Sequence, residues 1–187
     1  MIESLIIIAF LIFPYPDKIT VRVTGLKECE PGMRYEIVEV PFKDYVKGVM
    51  VNEFGTGWDD DALKAGAIAI KSYALYQYYT GGKYGGYDQG IVYDCDWDQV
   101  YNPDIRRADT DNAVDETWHY VLLSADGSPF SAHYLAWPNA CDSFFGEGKC
   151  MSQRVSIKQA ERGMSWVEIL NYAYDDVAVG YGFDRIR

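Results

Sequence analysis

The spacing of apolar and polar positions changes several times along the chain, and each change marks an element. Residues 19–24 and 35–40 alternate or run β-branched, with Pro31-Gly32 between them, which predicts a hairpin. Pro41 closes the strand phase. From Phe42 the period becomes helical, and Phe42, Tyr45, Val46, Val49 and Met50 form one apolar stripe. Glu53 continues that stripe, seven positions beyond Val46 and four beyond Val49. A carboxylate at that position is aimed at apolar surroundings rather than at water.

Gly55 and Gly57 end this helix, and Asp59, Asp60 and Asp61 supply capping groups for the next. A second helix is predicted over 62–79, with Leu63, Ala67, Ile70, Ala74 and Tyr78 on one face and Gly81-Gly82 as its stop. Residues 84–93 read as a Gly/Tyr loop, and 112–119 as a short helix. Residues 121–123, the turn 125–129 and residues 130–135 read as strand, turn, strand. Two helices follow over 152–162 and 165–174, the second opened by a capping box from Ser165 to Glu168. Helices and antiparallel strands mix without a βαβ rhythm. The expected class is α+β, a single compact domain with antiparallel hairpins and several short helices.

Composition narrows the partners. A 187-residue chain that is 49% hydrophobic builds one ordinary core. A net charge of -11 excludes a nucleic-acid backbone as partner, because that binding needs clustered Lys and Arg. Sixteen Tyr and five Trp suit a sugar-binding surface, and equally a core with a wet rim. The apolar run 5–13, followed by Pro14-Tyr15-Pro16, has the length of a secretory h-region; Glu3 stands where a basic residue is usual, and no A-x-A site follows. The expected division is a signal or anchor segment over 1–16 and a domain over 17–187, with an apolar first strand as the alternative. Cys29, Cys95, Cys141 and Cys150 show no zinc spacing; in an exported chain they imply one or two disulfides, whose connectivity the spacing leaves open.

Glu53 is the candidate acid. Giving up a proton as a general acid near neutral pH needs a carboxyl pKa raised from about 4.3 toward about 6. Burial on the apolar stripe and a place at a helix C-terminus both disfavour the anion. The alternative is a helix-end glutamate turned to solvent or paired with Lys47 or Lys71. Asp94 and Asp96 are the candidates for a second carboxylate, which a hydrolase holds about 5 to 9.5 Å from the first. His119 or His133 with Cys141 or Cys150 would make a nucleophile pair, but no flanking motif supports it.

Five segments in order resemble the SpoIID (stage II sporulation protein D, LytB-like) family. These are Asp44-Tyr45-Val46-Lys47-Gly48-Val49 with Asn52-Glu53; Ala62-Leu63-Lys64-Ala65 through Lys71-Ser72-Tyr73-Ala74-Leu75; Tyr93-Asp94-Cys95-Asp96 with Gln99-Val100-Tyr101; Ala113-Val114-Asp115-Glu116-Thr117 with Val121-Leu122; and Met151-Ser152-Gln153 with Ala160-Glu161-Arg162-Gly163 and Glu168-Ile169-Leu170. With the apolar N-terminal run, the resemblance implies an exported or membrane-anchored cell-envelope protein, and the sequence leaves a link to sporulation open. Its implied activity is that of a peptidoglycan lytic transglycosylase acting on peptide-free glycan strands. Glu53 would be its general acid/base, with Lys71, Tyr73, Gln99, Tyr101, Ser152 and Gln153 binding substrate. It implies no cofactor. Zinc, held in some members by a Cys/His set, is not carried over, because only Cys95 of that set is present. Cysteine in the loop after the hairpin of some members implies a Cys95–Cys141 disulfide. The implied partners are glycan strands and other cell-wall hydrolases. Departures include Phe54-Gly55 for Met-Pro, Lys71 for Arg, and Trp137-Pro138 where a serine-rich loop is usual. They support an alternative, a non-catalytic cell-wall-binding or amidase-enhancing module.

Overall fold

A computed structural model describes residues 12–83 and 90–184. In chain order the elements are β1 (Ile12–Tyr15), β2 (Lys18–Val23), β3 (Glu36–Pro41), α1 (Phe42–Glu53), α2 (Asp60–Thr80), β4 (Val92–Tyr93), α3 (Ala108–Glu116), β5 (Tyr120–Leu123), β6 (His133–Leu135), α4 (Pro138–Phe145), β7 (Cys150–Ser152), α5 (Gln153–Ala160), α6 (Trp166–Ala173) and β8 (Ala178–Asp184). The class is α+β, as the mixed periods predict.

Helix α2 is the centre. From Ala62 to Leu75 nearly every side chain is buried, and α1, α3, α5, α6 and β5 all pack against it. A helix apolar on all sides belongs inside a fold, and the alanine-rich sequence lets the neighbours approach closely. Asp59 accepts from the Asp61 amide at its N-terminus, and Gly81, at φ 83°, closes its C-terminus through amide bonds to Gln77 and Tyr78 carbonyls.

Three small sheets surround the helices, in strand orders β1-β8-β5, β3-β2-β4 and β6-β7. The β2–β3 hairpin pairs Ile19 with Val40 and Val21 with Val38, as the alternation predicts. The short β4 then lies parallel to β2, pairing Val92 with Val21. Strand β1 runs parallel to β8, and its Tyr15 is fully buried against Phe42 and Trp118. Residues 1–11, most of the apolar N-terminal run, lie outside the described residues.

Some expectations are corrected. Residues 130–135 do not fold back as a strand on β5. The turn itself forms, with the Phe130 amide donating to the Leu122 carbonyl and Leu123 bridging Pro129, but β6 then leaves β5 and pairs in parallel with β7. The short helix starts at Ala108 rather than 112, because Thr110 and Asp109 organise its first turn: the Thr110 hydroxyl donates to the Arg107 carbonyl and Asp109 accepts from the Thr110 amide. Cys95 pairs with Cys29, and Cys141 with Cys150; the Cα atoms are 5.8 and 5.3 Å apart, both within disulfide reach. The implied Cys95–Cys141 bond is therefore replaced. The β2–β3 loop carries Cys29 to Cys95, while β7 brings Cys150 beside Cys141 on α4.

Candidate functional site

Glu53 is the last residue of α1. The stripe before it, Phe42, Tyr45, Val46, Val49 and Met50, is buried, whereas Glu53 itself is half-buried, at the boundary between core and solvent. Its Oε1 accepts the Val100 amide at 2.8 Å, and the Gln153 side-chain amide donates to its backbone carbonyl at 2.9 Å. Burial raises its carboxyl pKa above the ordinary glutamate value, and the Asp96 charge adds to that rise. The Val100 N–H and the Gln153 amide favour the anion and offset part of it. The alternative pairings fail: Lys47 reaches Asp115 at 2.8 Å, and Lys71 is buried elsewhere.

The Val100 amide reaches Glu53 because β4 anchors the segment 94–101. Asp94 is buried and accepts from the Thr24 and Gly25 amides and the Thr24 hydroxyl. Asp96 accepts the Cys29 amide at 2.8 Å, and the Cys29–Cys95 bond clamps the same turn. Asp98 accepts the Tyr93 amide, the Tyr73 hydroxyl and the Lys83 ammonium. Of the two candidate second carboxylates, Asp94 is spent in its loop; Asp96 is exposed and its charge is felt at Glu53.

Gln99 is fully buried. Its side chain accepts the Tyr45 hydroxyl and donates to the Ile70 carbonyl and the Tyr134 oxygen, each at 3.0–3.2 Å. It braces the site from below rather than lining it. Tyr134 carries no motif that marks it in the sequence, yet burial and then the Glu53 charge raise its phenol pKa. Its ring also lies 6.1 Å from that of Phe54. Alternation within residues 130–135 was the signal available for it. Val100 acts through its backbone, on which side-chain chemistry is silent.

The other expected residues scatter. Gln153 touches Glu53 directly. Tyr101 stacks on Tyr45 with centroids 5.2 Å apart and, with Asn52 and Val100, lines an apolar cavity of about 600 Å³ beside Glu53. Tyr73 donates to Asp98 at 2.7 Å and lines a cavity of about 90 Å³ with Asp96 and Tyr134. Ser152 caps α5, accepting the Val155 amide and donating to the Ala136 carbonyl. Lys71 is the clear correction. Its ammonium donates to the Thr117 and Trp118 carbonyls at 2.7 and 2.6 Å and sits over the Tyr15 and Trp118 rings. With 1% exposure it cannot meet a sugar. The nucleophile reading of the cysteines also lapses, because Cys29, Cys95, Cys141 and Cys150 are all in disulfides. The sulfurs of Cys29 and Cys95 lie near Asp96, but they are bonded to each other and offer no thiolate.

Residues 32–123 match the family model of SpoIID, described as stage II sporulation protein. Over that stretch the chain belongs to the SpoIID family. The match contains Glu53, the disulfide-clamped segment 94–101 and Val100; Tyr134 and Gln153, which complete the surroundings of Glu53, lie beyond it. The chain is also 31% identical over 99 residues to an uncharacterized protein of Brachyspira hyodysenteriae, across 52% of this chain and 26% of that protein. It therefore spans about a quarter of the length of the curated relative it matches. SpoIID membership is consistent with a cell-wall-related function in sporulation. Among the described residues, no helix is long and apolar enough to cross a membrane.

Proposed function

We propose that this SpoIID-family chain is a lytic transglycosylase that cleaves peptide-free peptidoglycan strands, with Glu53 as its single general acid/base. The observation that carries the reading is the state of Glu53: a half-open carboxyl whose acid form burial favours, fixed by one backbone amide at 2.8 Å. In the proposed reaction the protonated carboxyl gives its proton to the glycosidic oxygen as the bond to the anomeric carbon breaks. The resulting carboxylate then takes the proton of the sugar's own 6-hydroxyl as that oxygen attacks the anomeric carbon, leaving a 1,6-anhydro end. No water is consumed, so a second carboxylate is not required. Asp96 then serves by its charge, helping Glu53 hold its proton. An envelope location, outside the cytoplasmic membrane, follows from this substrate.

One observation favours a second reading, a non-catalytic cell-wall-binding or amidase-enhancing module. Lys71 stands where the family has an arginine, and its ammonium is committed to the Thr117 and Trp118 carbonyls. Incubation with peptide-free strands separates the two. Anhydro-ended fragments, lost in Glu53→Gln, support the enzyme. Strands that co-sediment with the protein but are never cut support the module.

A further inference from the structure

Away from Glu53, Trp137 is an exposed aromatic with charged company. It is the residue before α4, 54% exposed, and the Arg154 guanidinium lies 3.8 Å from the centre of its ring. Both line a cavity of about 330 Å³ together with Pro138, Lys158 and Glu161. Among the described residues, neither Arg154 nor Lys158 has a carboxylate within 4.0 Å, and Glu161 pairs with neither. In a chain of 17 basic and 28 acidic residues, two unmatched cations at one cavity are a local reversal of sign. The Trp137 ring also holds the Arg154 fork in place, which lowers the entropy lost when it takes a planar anion.

The place matters as much as the charge. The Arg154 amide donates to the Ala136 carbonyl at 3.3 Å, tying the first turn of α5 to the residue before Trp137. The residue preceding Arg154 is Gln153, whose side chain holds the Glu53 carbonyl. The cationic cavity thus begins one residue away from the wall of the candidate catalytic site.

We propose that Trp137, Arg154 and Lys158 form a subsite for an acidic sugar, Trp137 supplying a platform for the ring and the two cations taking its free carboxylate. The inference rests on the glycan-strand reading and deepens it. The matching unit is a muramyl residue whose lactyl carboxylate is not amide-linked to a peptide; a peptide-linked unit has no such charge to offer. An uncharged N-acetylglucosamine oligomer would meet the platform alone.

Binding, measured without turnover, tests this. The Glu53→Gln chain is titrated calorimetrically, at low salt, with peptide-free glycan strands and with N-acetylglucosamine oligomers of equal length. The strands are expected to bind about tenfold more tightly, the difference of one charged hydrogen bond. Adding Arg154→Gln and Lys158→Gln, both exposed, should erase that difference and leave the oligomer affinity unchanged. Trp137→Ala should weaken both ligands. Equal strand affinity with and without the two cations would overturn the subsite, and so would failure of the parent to bind strands at all. The outcome is separable from the acid role of Glu53. Strands bound through these residues but never cut by the unsubstituted chain keep the subsite and remove the enzyme; cleavage indifferent to Arg154 and Lys158 does the reverse.

Discussion

The backbone amide of Val100 donates to the Glu53 carboxylate across 47 positions of sequence, at 2.8 Å. This one bond joins the end of α1 to the segment clamped by the Cys29–Cys95 disulfide. It fixes where the carboxyl points without supplying a counter-charge. The half-buried site therefore penalises the anion more than the Val100 and Gln153 amides favour it, and the pKa stays above the ordinary value.

That balance has a cost in stability with a defined sign. A carboxyl whose folded-state pKa is raised contributes most below its unfolded pKa, and the contribution is lost as pH rises through the folded value. Glu53→Gln keeps the acceptor for Val100 and removes the charge. The variant should unfold at higher denaturant concentration than the parent at pH 7 to 8, and the two should converge near pH 3, as read from urea midpoints.

Lys71 is expected to matter for folding and not for sugar. Lys71→Met leaves the Thr117 and Trp118 carbonyls without their ammonium donor inside the core. The loss should be about 2 to 3 kcal/mol in urea unfolding. Glycan affinity of the folded protein should stay within twofold of the parent. A folded, equally stable variant with weakened glycan binding would return Lys71 to the groove.

The disulfides should differ in weight. Peptide mapping without reduction should recover Cys29 joined to Cys95 and Cys141 joined to Cys150. Closing a loop of 66 residues constrains the unfolded chain by about 4 kcal/mol, against about 3 kcal/mol for a loop of 9. Cys29→Ser should therefore destabilise more than Cys150→Ser. It should also lower any glycan cleavage in the fraction that remains folded, because the clamped segment carries Val100.

His133 gives an acid-side signature. Its ring stacks on Phe145 with centroids 3.9 Å apart, and burial, with the nearby Lys83 charge, lowers its pKa to about 4. A depressed basic group contributes stability above its unfolded value of about 6.5, and that contribution is lost as pH falls toward about 4. Discounted for the solvent that still reaches the ring, the loss is about 2 kcal/mol. Thermal melts between pH 7 and 4 should fall less steeply for His133→Gln than for the parent.

What was legible in the sequence follows from what periodicity encodes. The stripe through Val46 and Val49 places Glu53 at the edge of the core, and the glycines after it end the helix, so the site's acid is readable from α1 alone. The hairpin β2–β3 and the Ser165–Glu168 capping box are local patterns and are found as such. The partners of Glu53 are not local. Val100 contributes only its backbone, and Tyr134 reaches the site because β6 pairs with β7 rather than with β5. Lys71 shows the opposite failure. Family likeness places a cation in the groove, but its side chain is drawn under two backbone carbonyls that side-chain spacing does not reveal. The cysteine pairing is tertiary in the same sense, set by where the loop after β2 and strand β7 come to rest.

The proton affinity of Glu53 is the point on which the account turns, and it is measurable directly. Side-chain carboxyl carbon shifts of the full chain, labelled with 13C and followed from pH 3 to 8, give the titration midpoint, with Glu53→Gln assigning the resonance. The midpoint is expected above the ordinary 4.5 for a glutamate. A midpoint at or below 4.5 would mean that the site holds the anion, and Glu53 would have no proton to give.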